Sequence, residues 1–204
     1  MMRTKGIGRL GLFVAIALLG GGGSAVAQSG AAWEALEREY PGVAGLERGE
    51  RIAAVFGRPM TTAATAREAM EHWVALYADV FGVENPELIE ARGTEISNGR
   101  VAFALRQVAT VEGGILTAPT ALPVEGGKLR VLVAPEGEDF AVTYVGGRLR
   151  DAGGVAVPQI TGSQAIAAAG EDERTQHLEH WLEPELVVVE MDLGIGPRFS
   201  RRGA

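Results

Sequence analysis

His177 and His180 are the residues whose types and spacing most invite a chemical reading. They form an H-x-x-H with Glu179 between them, and on a helix both imidazoles would share a face. Zinc catalysis asks for H-E-x-x-H. There, histidines four apart hold the metal, the glutamate acts as general base, and a distant third side chain completes the set. Here the spacing is three, and the remaining histidine, His72, lies far back in the chain beside a helical apolar stripe. The pair reads as a solvated polar segment next to Trp181 and Leu182, and His72 as a surface or boundary residue.

Other chemistries find less. A serine nucleophile needs an elbow such as G-x-S-x-G, and none occurs; Ser163, in Gly162-Ser163-Gln164, reads as a turn or cap residue. The carboxylate groups Glu136/Glu138/Asp139 and Glu171/Asp172/Glu173 sit in hydrophilic, turn-like stretches. Nothing there predicts the burial that tunes a carboxylate for proton transfer. Gly113-Gly114 and Gly126-Gly127 lie between extended runs and match no phosphate-binding loop. Cysteine is absent, which removes thiol chemistry, thiolate metal sites and disulfides. The sequence therefore assigns no catalytic residue, no metal ligand and no cofactor, and reads as non-enzymatic.

The elements that would position any site begin after a leader. Arg3, Lys5 and Arg9 precede an uninterrupted apolar run, residues 10–19, and Ala25-Val26-Ala27 closes the stretch. This is the tripartite pattern of a secretory signal peptide, with cleavage expected between Ala27 and Gln28. The apolar core has ten residues, against roughly 20 needed to span a bilayer. No Cys follows the cleavage site to carry a lipid, so no stable membrane anchor is expected once the leader is removed. Taking 27 residues from 204 leaves 177, and losing three cations moves the net charge from −7 to −10. So acidic a chain is repelled by nucleic acid and by anionic lipid.

Within the remainder, Trp33, Leu36 and Tyr40 recur at helical spacing, so residues 28–56 open on a short amphipathic helix or a tether. Residues 52–56 read as a strand stopped by Gly57-Arg58-Pro59. Residues 61–81 read as one long helix, with Thr65 and Glu68 as its capping box and Gly82 as its stop. From Leu88 the period becomes two. Strands 88–96 and 101–108 flank a Ser97-Asn98-Gly99 turn, and further extended runs reach Val145. Within LPVEGGKLRVLV, residues 122–133, the Gly126-Gly127 pair reads as the tight turn of a hairpin. A linker at Gly153-Gly154, a second helix over 162–169 and a strand over 185–191 follow, and the basic tail reads as disordered.

Taken in order, GRPM, ALYADVFGV, VAFALRQ, LPVEGGKLRVLV and FAVTYVGGRL resemble the fungalysin/thermolysin propeptide domain. Phe81 and Gly82 match that family's helix end. Gln107, Pro123, Val124, Gly126, Gly127, Leu129 and Val131 match its strand and hairpin pattern. VPQITGSQAIAAA and PELVVVE are similar to the opening of a PepSY domain. The family's Gly-Val before Pro-Val is here Ala121-Leu122, residues 110–120 lengthen a connection that is usually short, and the likeness gives out near Asp192 with no peptidase domain.

The resemblance implies an α+β fold: an antiparallel meander sheet packed against one long helix, with a second, smaller helix-plus-strand PepSY-like part. Together with the leader, N-terminal segment and tail read from the residues, it divides the chain into a signal peptide (1–27), an N-terminal segment (28–56), a propeptide-like domain (57–150), a partial PepSY-like segment (151–192) and a tail (193–204). The expected function is that of a secreted or periplasmic, non-catalytic module. It would bind, inhibit or assist the folding of a thermolysin-like metallopeptidase, with no nucleic-acid partner. The matched residues are expected to be structural. The alternative is an exported binding or scaffold protein that retains only the fold.

Overall fold

The computed structural model describes residues 13–17, 25–49, 51–152, 158–161, 163–165, 167 and 185–189. The elements run β1 (Phe13–Ala17), α1 (Ala25–Glu39), β2 (Ala44–Arg48), β3 (Arg51–Ala63), α2 (Ala66–Tyr77), a 3-10 turn (Ala78–Phe81), β4 (Leu88–Glu95), β5 (Val101–Gly113), β6 (Leu116–Glu136), β7 (Asp139–Arg148) and β8 (Glu185–Val189). β4, β5, β6, β7, β3 and β2 pair antiparallel in that spatial order. β1 and β8 are parallel to each other, and β8 joins β6 through Val124 and Val188. The architecture is mixed α+β. β1 and the start of α1 fall within the residues read as a leader, and α1 runs across the Ala27–Gln28 bond.

The single long helix expected over 61–81 is not what forms. Thr61 to Ala63 belong to β3, where Thr62 pairs with Ala141, as β-branched residues favour. Thr65 then caps α2, and the capping box with Glu68 closes as expected. At Tyr77 the backbone turns to φ −134° and the chain tightens into the 3-10 turn, which ends at Gly82 in the left-handed region. The Asp79 carboxylate, within this turn, accepts the Asn85 N–H at 3.0 Å. α1 supplies a second helix, whose Leu36 is fully buried.

α1 and α2 cover one face of the sheet. Trp73, the centre of this layer, has no exposed surface, donates its indole N–H to Met60 Sδ at 3.4 Å and lies 6.2 Å from the Phe81 ring. Val55, Leu129, Val131, Val133, Val142 and Val145 rise from the strands to meet it. A second, smaller core joins Ala109, Val111, Leu122, Val124 and Val188 where β8 meets the sheet.

The expected tight turn at Gly126-Gly127 is also corrected. β6 continues through the pair without reversing, as one strand of 21 residues. Pro123 pairs with Val108 and Lys128 with Arg106, so residues 124–127 bulge out opposite Gln107 alone. Pro123 borders this interruption of the ladder, as a proline within a strand commonly does. The chain reversal lies instead at Gly113-Gly114, and residues 110–120 form the arms of that hairpin. Gly57-Arg58-Pro59 likewise bulges without stopping β3. The Asn98-Gly99 turn forms as expected, both residues having positive φ.

Candidate functional site

Most of the matched residues gather around the bulge in β6. Gln107 is buried, and its side-chain amide pairs with a backbone. Its Nε2 donates to the Arg150 carbonyl at 2.7 Å, and its Oε1 accepts the Arg150 N–H at 2.8 Å. This two-way bond fastens the end of β7 to β5, past the reach of the sheet ladder. Gly127 must lie close over the amide, because a Cβ there would stand 2.5 Å from Gln107 Oε1 and 2.8 Å from Gln107 Cβ. Gly126, at φ +72°, lies beneath the Arg150 guanidinium.

The other matched residues lie deeper. Phe81, Leu129 and Val131 belong to the main core, and Val124 to the smaller one. A cleft of about 310 Å³ opens beside the bulge, lined by Ala104, Arg106, Glu125, Gly126, Lys128 and Val187 among others.

The face of the sheet that α1 and α2 do not cover, and that no helix covers among the described residues, carries features that the linear reading missed. Register places Phe56, Tyr144, Leu132 and Ala102 side by side on β3, β7, β6 and β5. Phe56 is 39% and Tyr144 40% exposed, on a face where a merely solvated strand would carry polar residues. The Tyr144 ring folds over Gly146. Leu46, on β2, extends the apolar area to the sheet edge and is 57% exposed.

Beside this row lies a cluster of cations. Lys128 faces Arg148 on β7 and Arg106 on β5, and Arg130 lies one pair along, level with Ala104 and Arg92. Like charges directly opposite each other weaken strand pairing. At the far end of the same strands, the β6–β7 turn carries Glu136, Glu138 and Asp139. The helix-free face is therefore zoned along β6: basic, apolar, then acidic. The alternation in Lys128-Leu129-Arg130-Val131-Leu132-Val133 already divides residues between the two faces. The zones themselves appear only when the register of the neighbouring strands is known.

On the covered side, the Tyr40 and Tyr77 rings meet edge to face at 5.8 Å. Burial pushes the Tyr40 phenol up to about 12, reinforced by Tyr77 and by Glu39 and partly offset by a hydrogen bond from the Thr61 backbone. Arg67 on α2 forms a bidentate pair with Glu90 on β4, its Nη2 bond being 3.1 Å. His72 is exposed on α2. Thr161 with Gln164, rather than Ser163, caps the helical residues that follow it. His177, His180 and Glu171/Asp172/Glu173 lie outside the described residues. Among the described residues no three His, Asp or Glu side chains converge as metal ligands, and no helix is long and apolar enough to cross a membrane.

No family model, curated protein or solved structure matches the chain. What can be said of the site comes from its own geometry.

Proposed function

We propose that the chain is an exported, non-catalytic, propeptide-like module. In this reading it binds a thermolysin-like metallopeptidase, keeps it inactive or assists its folding, in trans or as a detached part of a precursor. The observation that supports a binding role is the bare apolar row of Phe56, Tyr144 and Leu132 on the helix-free face. Exposed aromatic side chains grouped on a rigid sheet are what a protein interface uses as anchors. The choice of a metallopeptidase partner draws on the resemblance carried by Phe81, Gly82, Gln107, Pro123, Val124, Gly126, Gly127, Leu129 and Val131.

A second reading, an exported binding or scaffold protein that keeps only the fold, is favoured by the β5–β6 extension through residues 110–120. That extension departs from the family pattern. Titrating a thermolysin-type peptidase with the purified full chain separates the two. Stoichiometric loss of peptidase activity, with the chain itself cleaving no protein substrate, supports the first reading. An unaffected peptidase favours the second. Zinc-dependent turnover by the chain alone overturns both.

A further inference from the structure

The helix-free face says more about its occupant than that one exists. Resting on the binding role above, we infer that the occupant is an acidic protein segment. Its carboxylates would lie over Arg92, Lys128, Arg130 and Arg148, and its apolar side chains over Phe56, Tyr144 and Leu132.

Charge distribution decides the chemistry. The whole chain has a net charge of −7, yet cations occupy neighbouring positions on β4, β5, β6 and β7 of this face. Neighbouring strands lie about 4.8 Å apart, well inside the screening length of about 8 Å in physiological salt. Lys128 and Arg148 on adjacent strands, with Arg130 one pair along, therefore act as one field, and Arg92 borders it two strands from Arg130. Arg106 is already engaged elsewhere, whereas Lys128, Arg130, Arg148 and Arg92 make no ion pair among the described residues. Lys128 stands directly opposite Arg148, a like-charge pairing that an anion seated above relieves.

The apolar row decides between kinds of anion. Leu132 lies four residues along β6 from Lys128, and Glu136 four further, so the zones succeed one another about every 13 Å at 3.3 Å per residue. A nucleic acid or an anionic bilayer would carry negative charge across the acidic end as well and be repelled there. A peptide can place carboxylates over one zone and apolar side chains over the next. The zoning also fixes the direction in which such a segment lies.

The test uses the purified full chain and three labelled probes followed by fluorescence anisotropy. The first is a peptide of roughly ten residues, enough to span the face, with a Glu-rich half and a Leu/Phe-rich half. The second replaces each Glu by Lys. The third is a single-stranded thymidine oligonucleotide of similar length. The acidic peptide is expected to bind, to weaken as salt rises toward 1 M, where screening shortens to about 3 Å, and to lose on the order of tenfold in affinity for K128E/R148E. The milder R130Q is expected to lose part of that, with the circular dichroism of both variants unchanged.

Failure of the acidic peptide to bind, equal binding by K128E/R148E, or tighter binding of the oligonucleotide overturns the inference. The functional reading fails separately. Acidic-peptide binding without peptidase inhibition leaves the surface standing and removes the metallopeptidase. Undiminished inhibition by K128E/R148E keeps the peptidase and removes the surface.

Discussion

The two faces of the sheet are written in the same strands, one residue out of step. Leu129, Val131 and Val133 lie under α1 and α2 with at most 1% exposure, while Lys128, Arg130 and Leu132 stand on the bare side. The covered face is built around an apolar core closed by aromatic rings. The bare face is divided into charged and apolar zones and closes on nothing in the described residues. The difference teaches how much depends on register, since a slip of one residue would exchange the two sets. In β6 the register is held by the bulge at 124–127, whose four residues are taken up opposite a single Gln107. The lock around Gln107 therefore serves both faces.

The largest effects belong to the covered face. Trp73→Ala removes a fully buried indole and the partner of Met60 and Phe81, and is expected to cost about 3–5 kcal/mol in urea unfolding. A loss below about 1 kcal/mol would mean that the helices are not the lid of the main core. Next comes the lock. Gly127→Ala drives a methyl group into the Gln107 amide and parts it from Arg150. That substitution is expected to cost about 1–3 kcal/mol, as overpacking and an unmet buried amide do. Combined with Gln107→Ala, it should cost less than the sum of the two alone, because the closest contact, with Oε1, is then gone and only that with Cβ remains. Additive losses would place Gly127 outside the lock.

How much of this was legible in the chain depends on range. The capping box of Thr65 and Glu68, the Asn98-Gly99 turn and the stop at Gly82 were all readable, because their causes lie within a few residues. The hairpin at Gly126-Gly127 was misread for the opposite reason. Gly-Gly permits a reversal, but whether the chain reverses or bulges is set by β5, which pairs with β6 on both sides of the glycines. The long helix failed likewise, because Met60 and Thr62 pair with β7, and the hydroxyl of Thr61 between them bonds the Ala69 carbonyl at 3.0 Å. The apolar and basic zones of the bare face needed register across four strands, which no single stretch of sequence contains. Gln107 was singled out by its match to a pattern. Its bond to Arg150, 43 residues on, was beyond a local reading.

A pH titration sharpens the contrast from the covered side. Tyr40 holds its proton more tightly folded, near pH 12, than unfolded, near pH 10. Its contribution to stability is thus complete below pH 10 and is lost as pH climbs from 10 toward 12, where the unfolded chain binds fewer protons than the folded one. Thermal midpoints measured across that window should fall more steeply for the wild type than for Tyr40→Phe, which has no phenol to ionise. Parallel curves would show that the hydroxyl is not enclosed between Tyr77 and Thr61.

The smallest change in stability is expected on the bare face, and there its sign matters more than its size. Lys128→Glu replaces a cation held between Arg106 and Arg148 by an anion that both attract. The side chain is exposed, so the effect on unfolding should lie within about 0.5 kcal/mol, and toward greater stability. Affinity for an acidic partner should move the other way. A residue kept for folding loses both when it is replaced. A residue kept for docking gives up affinity while the fold gains, and paired urea and anisotropy titrations on this one variant read both signs. If Lys128→Glu weakened the fold and left binding untouched, the basic zone would belong to the architecture of the sheet, and the two faces would differ only in which side the helices happen to cover.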